Sequence, residues 1–375
     1  MISPSFDKRE FFYGIPDLST VYNNTMKKIL FTGGGSAGHV IPNIALMEEL
    51  LSTGEADVCY MGTDGIEKSI VGERKIPYYT LRCPKLVRGG GWKGLKNNVK
   101  IPFAFIKAVK QAEQGLKTFA PDVVFSKGGY VALPVVFAAR KLKIPCFAHE
   151  SDFSVGLSNR LTARKCEYLF TSFPETADTV PNGKYSGAPL RKSLLSYTKT
   201  EARKAMDIPL SAKVLLVFGG GSGSKAINDA VKKHLKTLTE RYFVLHVVGK
   251  GNLVQNKVKN YRQTEFITDM GMAYACADVV LSRAGAGTIF ELLALKKAAL
   301  LVPLEGQTRG DQKQNAEYFH RKGLCNILPQ SQLDSLPQFI EHTFADEQLH
   351  ANLTEQNLAY GNENILRVLR QYLKK

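Results

Sequence analysis

A histidine closes the glycine-rich stretch FTGGGSAGHV, residues Phe31 to Val40, which makes His39 a candidate for moving a proton. Glycine loops of this kind let backbone N–H groups approach phosphate oxygens at a helix N-terminus, whose dipole favours negative charge. His39 falls in the first turn of the helix expected to follow, where that dipole disfavours protonation. A neutral imidazole can accept a proton, as a general base must. The residues alone leave other readings open. Gly33, Gly35 and Gly38 also fit the GxGxxG spacing of dinucleotide sites, and a tight strand-to-helix turn with a structural histidine fits equally. A second stretch, FGGGSGSKAI from Phe218 to Ile227, repeats the phrase without the histidine and puts Ser224 at the third glycine position. Two related loops, one with a base, suggest two related sites with different duties.

Further groups suited to chemistry follow strand-like runs. SKGGYVALP (Ser126 to Pro134) is a third glycine loop. With the first it could hold a diphosphate; its other reading is a close helix–sheet contact. AHESD brings His149, Glu150 and Asp152 to the end of a strand, without partners at metal-ligand spacing. In SRAGAGTIFELL, Glu291 lies inside a helix after a glycine turn, where a carboxylate can accept from both hydroxyls of a ribose or simply face solvent. GQTRGDQKQNAEYF adds Asp311 and Gln312, polar groups suited to sugar hydroxyls. No DxD triplet occurs, so a metal-chelated nucleotide sugar lacks its usual signature. Helix ends and cations such as Arg191 would neutralise a diphosphate instead, and the sequence calls for no cofactor and no metal.

The elements that must position these groups are legible as one unit used twice. KILFTGGGSAGHVIPNIALMEELL reads as a buried strand, a glycine turn and a helix with Ile44, Met47, Leu50 and Leu51 at helical spacing. KVLLVFGGGSGSKAINDAVKKHL repeats the plan. Strand-like runs alternate with helical ones through ADVCYMG, DVVFSKGG, PCFAHE and EYLFTS, then YFVLHVVG, DVVLSRAG and AALLVP. That alternation predicts an α/β chain of two doubly wound, Rossmann-like parallel-sheet domains, with ligands beyond the carboxyl ends of the strands in a cleft that the two sheets face. The seam is expected in SGAPLRKSLLS, Ser186 to Ser196, and a last helix from about Asn352 to Tyr372 could pack back on the first domain. A chain of 375 residues has room for two such cores.

Fifty Lys and Arg against 34 Asp and Glu give a formal charge of +16, which asks for an anionic partner. The basic excess gathers in residues 82–110, RCPKLVRGGGWKGLKNNVKIPFAFIKAVK, which hold eight Lys or Arg, no Asp or Glu, and Leu86, Trp92 and Phe103 among their apolar residues. Such a composition suits a surface that dips apolar side chains into a bilayer while cations meet anionic headgroups; a core helix with a basic outer face is the other reading. No apolar run approaches the roughly 20 residues of a membrane span. Six scattered cysteines, without CxxC or zinc spacing, read as reduced thiols. Residues 1–25 lack the layout of a signal peptide, and MKKILFTGG reads as a natural start, so Met26 is the expected functional beginning and the leader an extension without function.

Eight motifs, GGSAGHV, SKGGY, HESD, GAPLR, GGGSGS, TEFITDM, SRAGAGTIFE and GDQKQNA, occur in the order and at about the spacing of the MurG family of peptidoglycan glycosyltransferases, which add N-acetylglucosamine to lipid I. The resemblance runs from about Met26 to the C-terminus. It implies a GT-B fold, with residues 26–190 as the acceptor and membrane-associating domain, 191–351 as the UDP-N-acetylglucosamine donor domain and 352–375 as the returning C-terminal helix. By motif match His39 resembles the general base. Gly34, Gly35, Gly128, Gly129 and Tyr130, with Ser36, resemble the acceptor-diphosphate site, and Ser36, Ala37 and Gly38 also fall within the donor assignment. On the donor side Arg191 and Ser222 match phosphate contacts, Ile267 the residue whose backbone reads uracil, Glu291 the ribose carboxylate, and Asp311 and Gln312 the sugar-binding pair. The sequence departs from the common family form at Ser36 and Ala37, where Thr and Gly are usual. HESD stands for HEQN, so Asp152, counted with the donor-binding residues, replaces an amide near the donor sugar, and its exact role is left open.

The resemblance implies an inverting N-acetylglucosaminyltransferase, peripheral to the cytoplasmic face of the cell membrane, with UDP-N-acetylglucosamine, lipid I and an anionic membrane surface as partners. Another GT-B enzyme of UDP-sugars, such as a diacylglycerol glucosyltransferase or an epimerase, shares the donor motifs but has no use for the GGSAGH and SKGGY loops. A basic nucleic-acid-binding protein would need an aromatic platform or reading helix that the sequence does not offer.

Overall fold

The structure, a computed structural model, describes residues 26–84, 101–221, 223–306, 310–357 and 361–373. The expected leader, Leu86, Trp92 and Ser222 lie outside the described residues. Contacts divide the chain into two compact units. The first holds the described residues up to Ser151, Val155–Pro189 and the C-terminal helix; the second holds Asp152–Ser154 and the residues from Leu190 to 357. The sequence put the boundary at a single point after residue 190, and Asp152–Ser154 depart from that division because their contacts are made with the second unit.

In the first unit, strands β1 (Lys28–Thr32), β2 (Asp57–Gly62), β3 (Tyr78–Thr80), β4 (Val123–Ser126), β5 (Cys146–Glu150), β6 (Tyr168–Thr171) and β7 (Gly183–Tyr185) form a parallel sheet in the order β3-β2-β1-β4-β5-β6-β7. Helices α1 (Ala37–Thr53), α2 (Ile66–Gly72), α3 (Ile101–Phe119), α4 (Ala132–Lys141) and α5 (Leu157–Thr162) lie between these strands in the chain. Because alternate residues of a strand point to opposite faces, Ile29 and Phe31 of β1 enter one core with Ile44 and Met47 of α1, while Leu30 enters the other with Leu116 of α3 and Val135 of α4. Both faces are covered, which is why these strands read as unbroken apolar runs.

The second unit repeats the plan with β8 (Val214–Phe218), β9 (Phe243–Val247), β10 (Tyr261–Thr264), β11 (Val279–Ser282), β12 (Ala298–Leu301) and β13 (Asn326–Ile327), all parallel, in the order β10-β9-β8-β11-β12-β13. Its helices include α6 (Lys225–Lys233), α7 (Met270–Cys276), α8 (Ala286–Ala294) and α9 (Asp311–Arg321). Two doubly wound α/β units are therefore present, as the alternation of strands and helices predicts.

The single terminal helix expected from Asn352 to Tyr372 is two helices. One, Glu347–Glu355, belongs to the second unit and stops where Gln356 turns extended at φ −64° and ψ 137°. The other, α10 (Gly361–Leu373), belongs to the first unit, where Ile365, Leu366 and Leu369 join the core of Ile29 and Phe31. Gly361 starts α10 so close to the chain that a side chain there would come within 2.6 Å of the Gly187 backbone. Tyr372 meets Phe147 edge-on at 4.9 Å, and Arg370 pairs with Glu55 at 2.7 Å. Among the described residues no helix is long and apolar enough to cross a membrane.

Candidate active site

In open parallel sheets ligands bind past the carboxyl ends of the strands, where strand order reverses. That point in the first unit lies between the paired strands β1 and β4, and both of its glycine loops leave from it. The loops touch. Gly129 adopts φ +79°, and a Cβ there would lie 2.4 Å from the Gly34 carbonyl oxygen and 3.1 Å from His39 Nδ1. A Cβ on Gly35 would come 2.9 Å from the Tyr130 ring, and one on Gly128 would come 2.9 Å from the Asn159 amide. Gly34, Gly35, Gly128, Gly129, Tyr130 and His39 thus form one cluster.

Half-buried His39 holds Nδ1 3.0 Å from the Gly34 carbonyl oxygen and 3.2 Å from Ser36 Oγ. A carbonyl can only accept, so Nδ1 carries the proton in that bond. The lone pair of the neutral ring is then on Nε2, the arrangement a base requires. Beneath the loop lies a carboxylate that sequence reasoning missed. Glu67 of α2 is fully buried and accepts from Thr63 Oγ1 at 2.5 Å, Thr63 N at 3.1 Å and Gly35 N at 3.3 Å. In GTDGIEKSIV it reads as one more solvent-facing helix glutamate; the available signal was its flanking by Gly62 and Gly65, which leave room for its side chain.

The histidine of AHESD is scaffold. His149 is fully buried, and burial, reinforced by the Lys127 ammonium, holds its pKa well below the usual range; its Nε2–H donates to the Gly187 carbonyl at 3.0 Å. Glu150 accepts from Gly156 N at 2.8 Å and from Asn159 Nδ2 at 3.0 Å. Lys127 reaches Ser151 Oγ at 2.6 Å.

In the second unit the reversal lies between β8 and β11. Arg191 and Glu291, expected to serve phosphate and ribose separately, meet: Arg191 Nη2 donates to Glu291 Oε1 at 3.3 Å, and Tyr274 Oη donates to Oε2 at 2.9 Å. Burial pushes the Glu291 pKa up, and Arg191 and Tyr274 oppose that rise. Arg191 Nε is buried without a hydrogen-bond partner among the described residues, which leaves one strong donor unspent. The start of α9 gathers the residues expected on the sugar side. Ser154 Oγ donates to Asp311 Oδ1 at 2.7 Å, Asn315 Nδ2 to Asp152 Oδ1 at 2.9 Å, and Asn315 Oδ1 accepts from Phe153 N at 2.8 Å. Gln312 Oε1 instead accepts from Leu304 N at 3.0 Å. Half-buried Ile267 lies in the loop from β10 to α7, the latter capped by Asp269, which accepts from Met272 N at 3.2 Å. Asp152 therefore stands beside Asn315, a residue the sequence did not single out.

Residues 29–171 match the glycosyltransferase family 28 N-terminal domain, and residues 214–367 match the glycosyltransferase family 28 C-terminal domain. A UDP-N-acetylglucosamine–N-acetylmuramyl-(pentapeptide) pyrophosphoryl-undecaprenol N-acetylglucosamine transferase from Clostridium perfringens (strain SM101 / Type A) is 43% identical over 315 residues, 82% of this chain and 87% of that protein. The transferase of the same name from Clostridium botulinum (strain 657 / Type Ba4) is 38% identical over 359 residues, 93% of this chain and 100% of that protein. Among solved structures, Acinetobacter baumannii MurG is similar with a TM-score of 0.70 and 25% identity, covering 92% of this chain and 99% of its own. The glycosyltransferase of kitacinnamycin, at a TM-score of 0.71 but 15% identity over 93% of this chain and 99% of its own, shares the fold alone. The two α/β domains are those of the GT-B class, and the chain belongs to the MurG family of N-acetylglucosamine transferases.

Proposed function

We propose that this chain transfers N-acetylglucosamine from UDP-N-acetylglucosamine to the 4-hydroxyl of the muramoyl sugar of lipid I, with inversion and with His39 as the base. The relatives' shared name supports the reaction. The observation that carries the base assignment is the bond of His39 Nδ1 to the Gly34 carbonyl inside two touching glycine loops. The acceptor hydroxyl attacks the anomeric carbon opposite UDP. The new C–O bond forms as the bond to the diphosphate breaks, UDP leaves with the electron pair, and Nε2 takes the hydroxyl proton. Gly34, Gly35, Gly128, Gly129 and Tyr130, with Ser36, would receive the acceptor's diphosphate.

In the donor unit, Arg191 and Ser222 would stabilise the departing diphosphate, the work of preorganised donors aimed at developing charge. Ile267 would read uracil through its backbone, and Asp311 and Gln312 would hold the sugar. A carboxylate offers about four lone-pair sites. Arg191 and Tyr274 take two on Glu291, which leaves capacity for both ribose hydroxyls.

The acceptor is lipid-linked, so we also read the start of α3 as a membrane-contacting surface. Phe103 is 77% exposed and Ile106 55%, and with Ala104, Lys107 and Lys110 they line a shallow groove. Basic residues near an anionic surface contribute about 1 kcal/mol each, enough for peripheral attachment at the cytoplasmic face.

UDP release from UDP-N-acetylglucosamine, measured with and without a lipid I analogue, tests the reading. His39→Ala should lower acceptor-dependent turnover about 10²-fold or more, the scale of a lost general base, with UDP affinity unchanged. Near-wild-type turnover would move the base elsewhere.

A further inference from the structure

The peptide group between Gly34 and Gly35 is held at both ends. Its N–H donates to Glu67 Oε2 at 3.3 Å, and its C=O accepts from His39 Nδ1 at 3.0 Å. A peptide unit is planar and trans, so its N–H and C=O point in opposite directions. Glu67 and His39 therefore grip one amide from opposite sides.

We propose that Glu67 is a positioning residue for the transfer, acting on His39 through this single peptide group; the proposal rests on His39 being the base. An anion at the N–H end draws amide electron density toward the oxygen, and hydrogen bonds in a chain polarise one another. The Gly34 carbonyl becomes a stronger acceptor for Nδ1–H. That fixes the tautomer with its lone pair on Nε2 and raises the basicity of Nε2, as a carboxylate bonded directly to a histidine does in other sites.

Two further observations support the assignment. All three partners of Glu67 are placed to donate to it, two of them backbone N–H groups that can only donate, so its carboxyl group serves as the acceptor here. Its pocket is also shaped by glycine: a Cβ on Gly34 would come 2.6 Å from Oε1 and one on Gly65 2.8 Å from Oε2. The ionisable groups around this loop include Glu67 of α2, Tyr60 of β2, Tyr78 of β3, Lys127 and Tyr130 of the loop between β4 and α4, and Cys83, whose thiol donates to the Tyr130 carbonyl at 3.3 Å and has its pKa pushed up by burial and by Glu67. Burial pushes the phenol pKa values of Tyr60 and Tyr78 up, so both stay neutral. The ammonium of Lys127 reaches Ser151, and Glu67 is the carboxyl group that touches the loop.

The test is the pH profile of turnover by the full chain, read as UDP release with a lipid I analogue, for wild type, Glu67→Gln, Glu67→Asp and His39→Ala. Gln keeps the shape and an accepting oxygen but removes the charge. The acid limb of kcat should shift down by about half to one pH unit, the effect of one nearby charge, and kcat should fall by up to about tenfold on Brønsted grounds. KM for UDP-N-acetylglucosamine should not move. Glu67→Asp, which restores the charge, should return the acid limb toward wild type. In wild-type protein, 15N NMR of labelled histidine should find His39 protonated on Nδ1, a result that stands even where a variant folds poorly. An unmoved acid limb in Glu67→Gln beside an inactive His39→Ala, or His39 protonated on Nε2, would overturn this proposal alone. An active His39→Ala would overturn the base assignment and this proposal with it.

Discussion

Replacing Gly129 by Ala should separate the two glycine loops and stop the reaction without unfolding the protein. The residue sits at φ +79°, where a Cβ costs about 1–2 kcal/mol in an L-residue. Strain is the smaller effect. The new Cβ would lie 2.4 Å from the Gly34 oxygen, whereas the close end of carbon–oxygen contact is about 3.3 Å, so the loops must part by roughly 1 Å. The atom struck is the acceptor that holds His39 Nδ1. A misplacement of about 1 Å can cost about 10²-fold in a positioned reaction, which is the loss of turnover expected. Gly251→Ala is the control, because it carries similar strain at φ +76° with nothing within 4 Å. Urea denaturation should show a loss of about 1–2 kcal/mol in Gly251→Ala and a larger one, with the protein still folded, in Gly129→Ala, while UDP release with a lipid I analogue should collapse only in Gly129→Ala. Wild-type turnover in Gly129→Ala, or equal loss in both, would refute the reasoning.

Glu291→Ala should weaken UDP binding by about 1.5–3 kcal/mol, the scale of charge-assisted hydrogen bonds, and calorimetry showing unchanged affinity would remove Glu291 from the donor site. Phe103→Ser, at a 77% exposed position, should reduce sedimentation with anionic vesicles at low salt and leave UDP affinity intact; equal binding to neutral vesicles would argue against a charged membrane surface. Stability should fall with acid below about pH 6.5. Burial lowers the pKa of His246 to about 4 and that of His149 well below its usual 6.5. The unfolded chain then takes up protons that the fold refuses. Each histidine's contribution is complete above pH 6.5 and lost on the way down at up to about 1.4 kcal/mol per pH unit, levelling off for His246 near pH 4. Denaturation at stepped pH, with a flatter slope for His246→Gln, checks this.

Which strands the sequence revealed follows from where they sit. The runs read directly, such as DVVFSKGG and DVVLSRAG, give interior strands β4 and β11, apolar because both faces are covered. The four strands that no run announced, β3, β7, β10 and β13, are the four edges of the two sheets. Edge strands are short and pair on one side, so they need little apolar sequence; YRQT of β10 and NI of β13 are only partly buried throughout. The site divides along similar lines. Glycine loops and His39 were legible because glycine and histidine are chemically unusual where they stand. Glu67 and Asn315 were not, because a buried polar group is defined by partners distant in sequence, such as Gly35 for Glu67 and Asp152 for Asn315.

The two glycine loops also show how one turn is given two duties. Ser224 caps α6, its hydroxyl accepting from Ile227 N at 3.4 Å, so the serine satisfies its own helix. Ser36, two places earlier in its loop, is likewise the residue before its helix, α1, yet its side chain makes no cap bond and lies 3.2 Å from His39 Nδ1. The first N–H groups of a helix have no partner within it. Those of Ala37 and Gly38 are therefore left without a side-chain cap, beside a histidine whose proton is held on Nδ1. A loop that caps itself suits a rigid turn under a ligand. A loop that withholds its cap leaves those amides without a side-chain partner and its serine beside the histidine, which suits the proposal that the first loop holds an anion and the base.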